Sequence, residues 1–168
     1  GTMTLAGSLF MIGNPSPSIT SFTPTTSGAT TSVVITGSGF TGATAVSFGG
    51  TAATSFTVNS NTQITAVVGA GTSGSVQVTT PGTLATSASL SGFTFAPAPT
   101  IAYFNPIRAN AGTTVTIKGT NLSSTSAVSF GGTAAYSFTV VDNNTVTAVL
   151  RNGATGSVSV TTSGGTAS

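Results

Sequence analysis

Charge is what this sequence has least of. Arg108, Lys118, Asp142 and Arg151 are the only charged side chains among 168 residues, 2% of the chain. A soluble domain ordinarily carries about 25%. Histidine, cysteine and tryptophan are absent altogether. Each absence excludes a chemistry. With Asp142 as the only carboxylate, a paired-carboxylate mechanism cannot be built, and without histidine there is no Ser-His-Asp triad and no imidazole-ligated metal. One acid is too few for a protein calcium cage. Without cysteine there is no disulfide and no thiolate site. Three basic residues fall short of neutralising the phosphates of a nucleic acid, so no nucleic-acid partner is expected. No run approaches the roughly 20 apolar residues of a membrane-spanning helix. No basic, apolar, small-residue leader is visible, and a secreted product with its signal removed is expected. No catalytic residue, metal or cofactor is expected either. Lys118 reads as an outward strand residue matching Thr36, and Asp142 as a turn residue matching Ser60.

Serine, threonine, glycine and alanine fill the space that charge leaves. No apolar period of 3.6 residues persists for three turns. Period-two alternation runs throughout, broken by Gly, Asn, Ser and Pro. Strands are expected near residues 18–23, 32–37, 44–48, 52–58, 62–68, 74–80 and 87–95. Gly49–Gly50 and Asn59–Ser60–Asn61 read as turns. The pattern then repeats. AVSFGGTAATSFTV at 45–58 returns as AVSFGGTAAYSFTV at 127–140, an offset of 82 positions. The offset runs without a gap from Pro17/Pro99 to Thr86/Ser168, with about half of the pairs identical. Self-similarity over this period signals two modules, each with seven short strands or nearly so, the mark of an all-β sandwich.

Pro-x-Ile-x-x-Phe-x-Pro, Val-x-Ile-x-Gly, Val-x-Phe-Gly-Gly-x-x-Ala and Gly-Ser-Val-x-Val-Thr-Thr occur in order, and together they resemble the IPT/TIG family of immunoglobulin-like domains. The resemblance covers Pro17 to about Ala96 and Pro99 to Ser168. It implies two tandem β-sandwiches of about seven strands. It also implies a setting such as a bacterial surface protein, a receptor, a partner of carbohydrate-active enzymes or a transcription factor. A fold so widely used does not fix function. The expected domains are 17–96 and 99–168, joined by a stiff Pro-Ala-Pro segment at 97–99 and preceded by a segment at 1–16.

The two ends carry the functional expectation. Residues 1–16 fall on 83–98 at the same offset, so they read as a closing strand with no domain before it. The second repeat runs out before its own closing strand. A sandwich open at that place exposes an apolar groove and unpaired backbone, the arrangement used in β-strand addition. The donor is expected to be TLAGSLFMI at 4–12, with Leu5, Leu9 and Met11 entering the groove and Phe10 and Ile12 buried against a neighbouring subunit. The acceptor groove is expected around Val115, Ile117, Val158 and Val160. Head-to-tail donation does not close on itself and gives a filament, here an extracellular homopolymer with possible lateral contacts. The other reading is a spacer or an adhesive, carbohydrate-binding segment cut from a longer tandem-repeat surface protein, since a cut at this phase leaves the same ends. Carbohydrate recognition calls for an aromatic platform. Tyr103 and Tyr136, the only tyrosines, are expected to be half-buried strand residues instead. Asn121-Leu-Ser and Asn143-Asn-Thr match the N-glycosylation pattern, a weak signal in so Ser/Thr-rich a chain.

Overall fold

The computed structural model describes residues 15–81, 86–152 and 155–168, and the segment 4–12 expected as a donor lies outside them. Every regular element among the described residues is a strand. The first sandwich comprises β1 (Ser18–Thr23), β2 (Thr26–Ser27), β3 (Ser32–Ser38), β4 (Ala45–Phe48), β5 (Thr51–Ala52), β6 (Ser55–Ser60), β7 (Gln63–Val67), β8 (Gly74–Thr80) and β9 (Thr86–Phe95). The second comprises β10 (Thr100–Asn105), β11 (Thr114–Thr120), β12 (Ala127–Phe130), β13 (Thr133–Ala134), β14 (Ser137–Asp142), β15 (Thr145–Val149), β16 (Val158–Thr162) and β17 (Gly165–Ala167).

In the first sandwich a sheet ordered β1-β3-β7-β6 faces one ordered β2-β9-β8-β4-β5. In the second, β10-β11-β15-β14 faces β13-β12-β16-β17. The alternation in the sequence is the alternation of the faces. Val33, Ile35, Ile64 and Ala66 point inward from one sheet and Val46, Phe48, Val76 and Val78 from the other, all essentially without solvent contact. Val115, Ile117, Val146, Ala148, Val128, Phe130, Val158 and Val160 repeat this in the second sandwich. Burying each of the valine, isoleucine and phenylalanine side chains contributes about 1.5–3 kcal/mol. Both Gly-Gly pairs adopt positive φ, 56° and 83° at Gly49–Gly50 and 53° and 81° at Gly131–Gly132, and so close tight hairpins.

The structure departs from the sequence reading in three places. The single strand expected at 52–58 is two, because the chain crosses between the sheets at Ala53–Thr54. There Ala53 N–H bonds to Val46 and Thr54 N–H to Val67, on opposite sheets. The short β2 was not expected; it pairs in parallel with the end of β9. The third departure is in the last hairpin. Val78 faces Ala88 across β8 and β9, and its counterpart Val160 faces Ala167 across β16 and β17. The equivalence of Ala88 with Ala167 is an offset of 79, three less than 82. The second hairpin is therefore three residues shorter than the first, and the gap-free alignment does not hold to Ser168.

That shorter hairpin touches the first sandwich. Gly28 N–H donates to the Ser163 carbonyl at 3.1 Å. A Cβ at Gly28 would overlap the Gly164 carbonyl, and one at Gly164 would overlap the Pro97 carbonyl. Glycine is required at both places because backbone meets backbone. Asn121 Nδ2 also donates to the Ala98 carbonyl at 2.8 Å. The 96–98 joint is thus held on two sides.

Candidate strand-acceptor groove

The closing strand of the first sandwich shows what the second would need. Along β9, Ala88 and Phe93 are buried and Leu90 and Phe95 pack partly against the core. The inward sequence 88, 90, 93, 95 skips a residue because of a bulge between the pairs Gly74↔Phe93 and Val76↔Leu90. Gly92, with φ of 104°, absorbs it. Phe93 is the keystone: its ring lies 4.9 Å from that of Phe48 and 6.3 Å from that of Phe22. The far end of β9 also ties down the segment after β1, where Thr94 N–H donates to Thr25 and Ala96 N–H to Ser27.

In the second sandwich the counterpart of β9 is β17, three residues long. By the shifted register Ser168 stands where Ser89 stands. Beyond it lies a cleft of about 350 Å³ lined by Phe104, Ile107, Val115, Phe130, Leu150 and Val158, among others. Phe104 and Phe130 are the counterparts of Phe22 and Phe48. Gly156 and Val158, also on the wall, are the counterparts of the two residues that pair with Phe93 and Leu90. The cleft therefore occupies the place that Phe93 fills in the first sandwich. Arg108–Ala109, the counterpart of β2, forms no strand, and Ile107 at its start is 79% exposed. Of the four residues expected at the groove, Val115 and Val158 form its wall, while Ile117 and Val160 lie deeper in the core. The five expected donor residues, Leu5, Leu9, Phe10, Met11 and Ile12, lie outside the described residues. Sequence reasoning missed Phe104, Phe130 and Leu150; the signal was there in the pairing of Phe104 with Phe22 and of Phe130 with Phe48.

A second surface feature sets the repeats apart. All four charged side chains and both tyrosines belong to the second repeat. Tyr103 is 60% exposed and Tyr136 71% exposed, which corrects the expectation that both are half-buried. On the outer face of its sheet Tyr103 pairs with Lys118, Lys118 with Thr145, and Thr145 with Asp142. The first repeat has Ser21, Thr36, Gln63 and Ser60 in that row. Lys118 Nζ donates to Thr145 Oγ1 at 2.6 Å. Asn144 N–H donates to Asp142 Oδ1 at 2.7 Å. That bond, then the Thr145 hydroxyl and the Lys118 charge, hold the Asp142 carboxyl below the ordinary carboxylate range. Tyr136 lies just before β14, with the Arg151 guanidinium 5.8 Å from its ring centre, inside cation–π range. Among the described residues no group of His, Cys, Asp or Glu could hold a metal ion.

These features define a tandem of two immunoglobulin-like sandwiches, the second of which carries a cleft bordered by Phe104 and Phe130. The family model described as the IPT/TIG domain matches residues 17–96 and 99–168, and the chain belongs to that family. Among solved structures it is similar to SGBP-B from a complex xyloglucan utilization locus in Bacteroides uniformis, with 27% identity over 91% of this chain and 48% of that one, and a TM-score of 0.42. It is similar to the Plexin A4 full extracellular region, with 24% identity over 98% of this chain and 18% of that one, and a TM-score of 0.46. It is also similar to an auxiliary nutrient binding protein from Bacteroides ovatus, with 16% identity over 88% of this chain and 43% of that one, and a TM-score of 0.45. The chain thus spans less than half the length of each of these. No curated protein matches it.

Proposed function

We propose that the chain is a non-catalytic tandem segment of a bacterial cell-surface or extracellular structure, and that its second sandwich takes up a β-strand from another copy. The single observation that carries the second part is the cleft between Phe104 and Phe130, which stands where Phe93 stands in the first sandwich. Strand addition would satisfy the free edge of β16 and fill the cleft in one step. The N-terminal segment is the occupant, because residues 1–16 align with the first sandwich's own closing strand and joint. Exchange of that segment between copies would be a heterologous contact, which propagates into a filament. The test is electron microscopy of the full chain beside a variant lacking residues 1–13. Fibres from the full chain and none from the truncation are expected. Identical fibres from both, or a monomeric full chain, would leave the spacer segment of a longer repeat protein as the function.

A carbohydrate-contacting surface is the second reading, favoured by the row Tyr103, Lys118, Thr145 and Asp142. An exposed ring beside fixed donors and acceptors offers both an apolar face and hydrogen bonds to a sugar. Affinity electrophoresis in gels containing neutral polysaccharides tests it. Retardation of the full chain that Tyr103→Ala abolishes would support the reading; migration unaffected by any polysaccharide would refute it.

A further inference from the structure

We propose that β14 is a self-association edge, where two copies of the chain pair their β14 strands antiparallel about a two-fold axis at Thr139. The sheet β10-β11-β15-β14 of each copy then continues into that of the other. This sheet does not contain β16, so the contact neither needs nor excludes strand uptake there.

Two strands that otherwise match differ at their open edges. β6 and β14 each end a sheet, so one side of each backbone is unpaired among the described residues. Native proteins ordinarily protect such an edge with charged side chains, proline, a bulge or a cover. Both strands carry a bulge near their C-terminal end, but their side chains diverge. Around β6 stand Thr54, Asn59 and Ser60, and Phe56 packs against the core. The same places around β14 hold Tyr136, Val141, Asp142 and Phe138. Tyr136, Phe138 and Val141 are 71%, 37% and 58% exposed. Apolar side chains exposed singly are ordinary, whereas a group of them on one edge marks a contact surface.

Charge selects a second copy as the occupant. Asp142, the only acid in the chain, ends β14. Tyr136 precedes the other end, with the Arg151 guanidinium 5.8 Å from its ring centre. A two-fold axis across β14 brings the acid of each copy to the tyrosine and arginine of the other, so the same complementary contact forms twice. The register follows from the faces. Phe138 and Val140 stand opposite Ala148 and Val146 on the core side, and Thr139 opposite Thr147 on the outer side. Residues paired across an antiparallel ladder share a face, so the axis passes through a residue and not between two. With Thr139 on the axis, Phe138 meets the partner copy's Val140, Ser137 meets Val141, and Asp142 reaches Tyr136. The bulge after Val140 sets Asp142 opposite Thr145 on the outer face, clear of the apolar pairs. With Val140 on the axis, Phe138 would meet Asp142 instead. With Phe138 there, Asp142 would pass beyond Tyr136.

The chain has no cysteine, so single cysteines in the full chain read the contact directly. Thr139→Cys sets two thiols about 5 Å apart across the axis, within disulfide reach. Val141→Cys sets two about 13 Å apart along the strands, out of reach. Thr57→Cys, likewise exposed but on β6, is the control. Covalent dimers are counted on non-reducing denaturing gels under mild oxidation. Thr139→Cys is expected to cross-link at least about ten-fold faster than either other variant, and equally fast in a chain lacking residues 1–13. Equal rates in the three variants, a faster Val141→Cys, or no cross-linking at all would overturn the proposal. So would loss of cross-linking in the truncated chain, which would place the contact in strand uptake. Adding Asp142→Arg to Thr139→Cys should slow cross-linking about three-fold or more by setting like charges together, and adding Arg151→Asp as well should restore it. A rate that Asp142→Arg leaves unchanged, or that Arg151→Asp fails to restore, would contradict the two-fold pairing.

Discussion

Gly28 and Gly164 are two hydrogen atoms' worth of chemistry, yet they let one sandwich rest its backbone on the other. A methyl group on either would overlap a carbonyl oxygen. Gly164→Ala is expected to destabilise the contact by about 1–3 kcal/mol, the usual cost of forcing a packed backbone apart. It should also broaden the distance distribution between the sandwiches in small-angle scattering; an unchanged distribution would show that the joint alone sets their arrangement. Asp142 is the other residue with a measurable signature. Its carboxyl is held below the ordinary range by Asn144 N–H first, then by Thr145 and Lys118. A depressed carboxylate contributes stability above its unfolded-state value, and the contribution is lost as pH falls through the folded value. No histidine and no second acid exist to add to it. The melting temperature is therefore expected to stay level from about pH 5 to 9 and to fall slightly below about pH 4. A shift of many degrees within the level range, measured by calorimetry, would contradict this.

At the scale of the element, β9 and β17 form a natural comparison. Phe93→Ala would leave a cavity against Phe22 and Phe48 in the first sandwich, at a cost of about 3–5 kcal/mol. Phe104→Ala should cost less than Phe22→Ala, because Phe104 borders the cleft and Phe22 packs on Phe93. Urea unfolding of the three variants measures both, and equal costs for Phe104→Ala and Phe22→Ala would mean that the cleft does not weaken the second core. These elements also mark how far the sequence can be read. Period-two alternation is enough to place most strands, since Val33, Ile35 and their counterparts show their facing by spacing alone. It misses β2, whose two residues carry no period and whose partner lies far along the chain. It runs straight through the sheet crossing at Ala53–Thr54, where the apolar pattern does not pause. The shortened hairpin leaves no mark in the repeat, because Gly82 and Gly164 align without a gap. The bulge at Gly92 shows only in the backbone.

At the scale of the whole molecule, the chain is two copies of one core with different surfaces. The first repeat is plain in Ser and Thr; the second carries every charge, both tyrosines and the cleft beside Phe104. With so few charges, assembly through the groove is expected to vary little between low salt and about 1 M salt, since screening has little to act on. A steep salt dependence of sedimentation would place the contact on Arg108, Lys118, Asp142 and Arg151 instead. Strand uptake along β16, as proposed above, can be measured directly because of the shifted register. Because Ser168 stands where Ser89 stands, a copy of residues 90–95 appended after Ser168 should enter the groove in register and close it. Calorimetry of that extended chain is predicted to show the second sandwich melting at least about 10 °C higher, with assembly abolished. An unchanged melting temperature with assembly intact would contradict the account.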